Sequence, residues 1–334
     1  MRPRLFLAFS GRQRGVALLV LMLLVFLAGA SWMLAQSGSM EGRNQVNKVT
    51  ASAMAQAKEA LIGRAATDVN RPGSLPCPDT NNDGVAELFA GVNCPAYIGR
   101  LPWKTLDLPE LLDGNGNRLW YALSSGLRDR DEAQPINPST VLQITLDGSP
   151  PSIAAIIFSS GPPLPSQIGR PSNAIADYLD GSNNDGDNSY VSGPPSAAFN
   201  DKTLVITRED IFRTVNQRVL AEIRGPDDNA PGAPSYGLRR YHADNASFPW
   251  ADSGSDGYGD VGVTVGNLPY YDLKLPVSLP LPPPPPSHPL PYSWLNPNGW
   301  LPLLTFQRLS ASSARIAIGT STMDVIPCPS SPCP

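Results

Sequence analysis

Along the chain the hydrophobic pattern changes period several times. From Val16 to Met40 no side chain carries a charge, and an apolar run continues to about Ala35. A bilayer span takes roughly 20 mostly apolar residues, so this run predicts a transmembrane helix. Arg2, Arg4, Arg12 and Arg14 precede it with no acidic residue between them, a flank that predicts a cytoplasmic N-terminus. Beyond the run, Val46, Val49, Ala53, Ala57, Ala60, Leu61 and Arg64 recur at spacings of three and four, which predicts that the same helix continues as an amphipathic one with a narrow stripe of small residues.

Thereafter the pattern turns to strands. Residues 119–123, 141–146 and 153–158 read as strands, the second alternating in polarity and the third continuously apolar and therefore central. Thr207 then opens a second helix, with Asp210 three residues on and Ile211, Phe212, Val215, Val219 and Ile223 on one face. Gly225-Pro226 closes it. The predicted fold class is α+β: a long N-terminal transmembrane helix followed by antiparallel sheet.

The stretch after the second helix repeats the stretch after the first. Gly99-Arg-Leu-Pro-Trp-Lys-Thr-Leu-Asp-Leu-Pro109 aligns without a gap on Gly266-Asn-Leu-Pro-Tyr-Tyr-Asp-Leu-Lys-Leu-Pro276. Upstream, Leu75-Pro76 and its acidic turn are echoed by Phe248-Pro249 and Asp252–Asp260; downstream, Asn296-Pro-Asn-Gly-Trp300 echoes the turn before Trp120. Such self-similarity predicts two tandem helix-plus-sheet modules, although chance likeness in a proline-rich chain gives the same short match. A run of five prolines at 282–286, inside a proline-rich loop 279–291, predicts an extended polyproline II arm in the second module.

Composition narrows the functional classes. With 37 prolines and 29 glycines in 334 residues and only 16% charged, the chain favours short elements joined by turns over a helical bundle. Net charge is −4, from 25 basic and 29 acidic residues. Losing the four leading arginines takes it to about −8, which leaves no basic patch for nucleic acid. The only four cysteines are Cys77, Cys94, Cys328 and Cys333, an even number expected in an oxidising compartment. Cys77 and Cys94 close a loop of moderate length; Cys328 and Cys333 stand where they would pin the last turn. There is no Cys-x-x-Cys pair, and neither His242 nor His288 has a catalytic setting. No nucleophile elbow, zinc-protease pair or phosphate-binding glycine loop is present, so no enzyme activity is expected.

One loop offers a partial cation site. Asp79, Asn81 and Asp83 take positions 1, 3 and 5 of a calcium loop, Gly84 takes position 6 and Glu87 position 9, but Ala90 stands where the bidentate glutamate belongs. Calcium is thus the one cofactor with a partial ligand set. Aspartate, asparagine and glycine also gather in turns for backbone reasons alone, as they do at Asp180–Asp187 and Asp252–Asp260.

The basic leader ends in Gly15 directly before Val16. This arrangement resembles the class III leader of type IV pilins and type II secretion pseudopilins. The resemblance implies that a prepilin peptidase cuts between Gly15 and Val16 and that Val16 becomes a methylated first residue. The glutamate usual at the fifth mature position is replaced by Val20, which fits minor pseudopilins better than a major filament subunit. An uncleaved anchor, or an export signal cut after Ala28-Gly-Ala30, matches the same basic-then-apolar pattern. The segments Leu75-Pro-Cys-Pro-Asp79, Gly99-Arg-Leu-Pro-Trp103, Asp113–Tyr121, Asp177–Asp187 and Phe199–Thr207 resemble the heads of PulG-like pseudopilins. The implied organisation is a leader at 1–15, a transmembrane and amphipathic helix at 16–66, a first head module at 67–205 and a second module at 206–334. The resemblance thus implies a minor pilin or pseudopilin-like protein of the inner membrane, single-pass, with its bulk in the periplasm or on a filament. Its implied partners are the prepilin peptidase and other pilin-like subunits. The alternative from a different class is an anchored or exported periplasmic binding protein, calcium-stabilised and unrelated to pili.

Overall fold

The computed structural model describes residues 14–129, 135–225, 236–275 and 294–327, except for the side chains at 14–20 and 29–40. Its first element is a single helix, α1 (Arg14–Thr67), of 54 residues, ~80 Å long at 1.5 Å per residue. Alanine at 51, 53, 55, 57 and 60 favours helix and keeps its buried face narrow. That face consists of Thr50, Ala53, Met54, Ala57, Leu61 and Ala65, the i, i+3, i+4 rows of a docked helix. The expected stripe therefore begins later than predicted: Val49 is exposed and Thr50 is buried. Thr50 Oγ1 accepts from Gly114 N at 2.9 Å and donates to Val46 O, so a polar contact anchors the helix where an apolar one was expected.

The expectation of a membrane-spanning helix is corrected. Among the described residues, no helix is long and apolar enough to cross a membrane. In α1 the half that bears Lys58, Glu59 and Arg64 is spent on the head, Lys58 on Asp210 and Arg64 on Asp129.

Two four-stranded antiparallel sheets follow. The first has the order β1 (Ile98–Arg100), β2 (Trp120–Leu123), β4 (Ile153–Ser159), β6 (Lys202–Thr207). Between β2 and β4 lies β3 (Thr145–Leu146), which pairs in parallel with β5 (Ser189–Tyr190) as a separate two-stranded ladder. Strand β4 is buried at all seven positions, as its continuous apolar run predicts. The strand predicted at 141–146 is shorter. Gln143 is held instead by side-chain bonds to Ser124, with Ser124 Oγ donating to Gln143 Oε1 and Gln143 N to Ser124 Oγ.

The second unit opens with α2 (Arg208–Arg224), capped by Thr207 and Asp210 in a reciprocal capping box. A short helix α3 (Leu238–Asn245) follows, then β7 (Val265–Asn267), β8 (Leu304–Ser310), β9 (Ser313–Ile318) and β10 (Ser321–Val325). The second sheet runs β7-β8-β9-β10, the same consecutive antiparallel order as the first. Registers correspond too: Gly99 faces Tyr121 as Gly266 faces Phe306, and Tyr121 faces Ile157 as Phe306 faces Ile316.

Helices α1 and α2 pack on each other and on the sheets, and one continuous apolar cluster joins both units. Polar pins cross the same boundary. Lys58 of α1 reaches Asp210 of the α2 capping box at 2.8 Å. Arg218 of α2 donates to Ala66 O and Asp68 O at the end of α1, where helix carbonyls lack intrahelical partners. Asn298 donates to Asn70 O and Trp294 O and accepts from Ile136 N.

Candidate functional site

Three regions bear on function: the start of α1, the acidic loop at 79–87 with its counterpart at 252–260, and a buried polar cluster that pattern reading passed over. Gly15 and Val16 lie in the first turn of α1. Further along, every described side chain from Leu21 to Leu27 is exposed, between 56% and 79%. The other end is fixed to the head by Thr50, Lys58 and Arg64, the last bonded to Asp68 and Asp129 at 2.8 and 3.0 Å. Gly114 permits this docking: a Cβ there would stand 2.2 Å from Val46 O.

Cys77 and Cys94 form a disulfide. Cys328 and Cys333, the Pro-rich loop 279–291 and His288 lie outside the described residues.

The loop that starts at Asp79 brings Asp79, Asn81, Asp83 and Glu87 together, but turns their oxygens onto its own backbone. Asp79 accepts from Asn82 N at 2.6 Å and Gly84 N at 2.7 Å. Asn81 accepts from Asp83 N, Asp83 from Val85 N, and Glu87 from Thr80 N, Thr80 Oγ1 and Asn81 N. Burial pushes the Asp79 carboxyl above its ordinary value, opposed by the bonds from Gly84 and Asn82. Among the described residues no three His, Cys, Asp or Glu side chains group closely enough to hold an ion. These side chains act here as turn caps.

The loop at 252–260 repeats that bonding. Asp252 accepts from Ser255 N at 2.7 Å and Gly257 N at 2.8 Å; Asp256 accepts from Tyr258 N; Asp260 accepts from Ser253 N and Ser253 Oγ. Asn82 and Ser255 share a positive φ, 70° and 63°, and Gly84 and Gly257 share 85° and 84°. Each loop also pairs with the first strand of its sheet, Asp79 with Arg100 and Asp252 with Asn267. Lys104 N donates to Gly84 O as Tyr271 N donates to Gly257 O. The backbone scaffolds match while the side chains they present differ. The first presents Val85, Trp103 and Lys104; the second presents Tyr258, Tyr270 and Tyr271.

The cluster that pattern reading missed lies in residues 160–201, between β4 and β6. Asp180 accepts from Gln167 Nε2 and Asn200 N, and Asp201 Oδ2 accepts from Asp180 N and Asn183 Nδ2. Asp201 is 4% exposed. Burial pushes its carboxyl up to about 7, opposed first by the bonds from Asp180 N and Asn183 Nδ2; the Asp180 charge adds to the rise and Arg170 opposes it. Arg170 spends its guanidinium on Asp177 O, Gly161 O, Tyr178 O and Gln167 Oε1. Arg100 is held between the rings of Trp120 and Tyr178, 4.2 and 4.0 Å from their centroids. These groups fasten the long connection to the sheet.

Comparison with protein-family models, with curated proteins and with solved structures found no match.

Proposed function

We infer that this chain acts by assembly, as a minor pilin-like or pseudopilin-like subunit matured by a prepilin-type peptidase between Gly15 and Val16. The observation that carries the reading is the asymmetry of α1. One half is docked through Thr50, Ala57, Leu61 and Lys58, while Leu21–Leu27 expose consecutive apolar side chains on every side of the helix. A large exposed apolar surface is stable only when something covers it. Here the cover is the equivalent helix of similar subunits, which leaves the acidic two-unit head outside the packed helices. The Gly15-Val16 junction at the head of this helix supports the same reading, as do the leader's four arginines.

The test is a processing assay. In cells that hold the peptidase, Gly15→Leu leaves the chain as a heavier precursor and abolishes co-isolation with other pilin-like subunits, while the head keeps its fold. Normal maturation of that variant overturns the reading.

A further inference from the structure

The matched loops differ in one chemical respect. In the first, two internal cations grip the loop. Lys104 donates to Asp83 O at 2.5 Å with its ammonium 5.2 Å from the centre of the Trp103 ring. Arg118 donates to Asn82 O and Asn82 Oδ1 at 2.6 and 2.7 Å. In the second loop neither cation exists. Tyr271 stands at the position of Lys104, and Leu303 stands in the register of Arg118, since Trp120 pairs with Arg100 as Thr305 pairs with Asn267. Among the described residues, no side chain donates to the carbonyls of Ser255 and Asp256, which match those of Asn82 and Asp83.

What replaces the cations is an exposed aromatic face with an acidic rim. Tyr258 and Tyr271 are 55% and 42% exposed and stack with centroids 5.0 Å apart, and Tyr270 lies 4.7 Å from Tyr271. Two of these rings rest on Gly257, where a Cβ would come within 2.7 Å of both Tyr270 and Tyr271. Asp256, whose charge acts on Tyr270, and Asp260 are exposed in the same loop, and Asp272 is half-buried. Two bases of the same unit are engaged elsewhere: Lys274 with Asp244, and Arg308 over the Trp250 ring. Electron-rich ring faces and carboxylates both favour a cation.

We propose that the Tyr258–Tyr270–Tyr271 face is a docking surface for a basic segment of a partner protein, an arginine or lysine side chain taking the place that Lys104 and Arg118 fill in the first unit. Arginine fits best, because its planar guanidinium stacks on tyrosine while donating to the free carbonyls. The proposal goes beyond the assembly reading and does not depend on it, since the face lies on the head and is tested on the full chain whether or not that chain is processed.

The test titrates the full chain with acetyl-Arg-Gly-Arg-amide and follows heat or the NMR signals of the tyrosine rings. Cation–π contacts of ~0.5–2 kcal/mol each lead us to expect saturable, salt-sensitive binding with a Kd on the order of 1 mM. Tyr271→Lys, which restores the first loop's internal cation, weakens binding at least about tenfold, whereas Tyr271→Phe stays within about twofold. If Tyr271→Lys fails to fold, Tyr258→Leu, which keeps an apolar group but removes the ring, shows the same loss. The proposal is overturned if the arginine peptide does not saturate by about 10 mM, if acetyl-pentaproline-amide binds as well, or if Tyr271→Lys binds as the parent does.

Discussion

The two helix-and-sheet units share a strand order and a loop scaffold, yet they are held together by different means. The first has a disulfide at Cys77–Cys94, a long connection between β4 and β6, and a glycine contact where its helix docks. The second has Trp250 where Cys77 stands, and β9 turns into β10 through Gly319-Thr320. One unit carries a helix that must leave the head and project, so its base is reinforced; the other is closed on itself. Fixed backbone with exchanged side chains separates what the scaffold requires from what each copy does with it. The aspartates and glycines at matching positions serve the scaffold, and the residues between them are free to serve function.

Four sets of substitutions probe that contrast, the first three in descending order of expected effect. Gly114→Ala drives a methyl into the α1 backbone at Val46. The expected cost is about 3 kcal/mol, read as a lowered urea midpoint with hydrogen exchange quickening at residues 46–57. The corresponding turn of the second unit has no helix backbone against it: a Cβ at Gly299 would meet the Asn137 side-chain amide at 3.1 Å and Pro135 Cβ at 3.6 Å, so Gly299→Ala is resisted by its φ of 68° and leaves hydrogen exchange at 46–57 unchanged.

Replacing Cys77 and Cys94 by serine opens a loop of sequence separation 17 and is expected to cost ~3 kcal/mol. Hydrogen exchange then rises around 79–94 and is unchanged around 252–260. An equal rise in both loops would mean that the units do not fold their loops separately.

Asp79→Asn and Asp252→Asn each weaken the bonds from the backbone at the third and fifth residues onward. Losses of roughly 2 kcal/mol for each are expected from charge-assisted bonds, equal within error. If calcium addition restored Asp79→Asn but not Asp252→Asn, the loops would not be equivalent.

A probe read against pH concerns the connection found only in the first unit. With its carboxyl at about 7 in the folded chain and near 3.9 when unfolded, Asp201 binds a proton in the native state that the unfolded state has already lost. Its contribution is therefore fully present below pH 4 and declines as pH rises toward 7, by at most ~1.4 kcal/mol per unit. Asp201→Asn removes that slope from a plot of stability against pH between 4 and 7. A slope unchanged by the substitution would show that Asp201 does not titrate there.

Much of the frame was visible in the residues. The 3.6-residue period gave α2 with its cap at Thr207 and its end at Gly225, and the continuous apolar run gave β4. Where side chains replace backbone ladders, periodicity is silent. Gln143 and Ser124 shorten a predicted strand, and Thr50 with Gly114 moves the docking face of α1. The apolar run at the N-terminus read as a membrane span on length alone, whereas among the described residues no helix is long and apolar enough to cross a membrane. The calcium pattern was a true pattern of loop residues; spacing alone does not say whether their oxygens face an ion or their own backbone. Asp201 and Asp180 stood in segments already singled out, but loops carry no period from which burial can be read.

Assembly through a helix matured at Gly15 is best tested by the mass of the N-terminal tryptic peptide that ends at Arg43. The account predicts a peptide beginning at Val16, heavier by one methyl group. A peptide beginning at Ser31, or one that still carries leader residues, would contradict it.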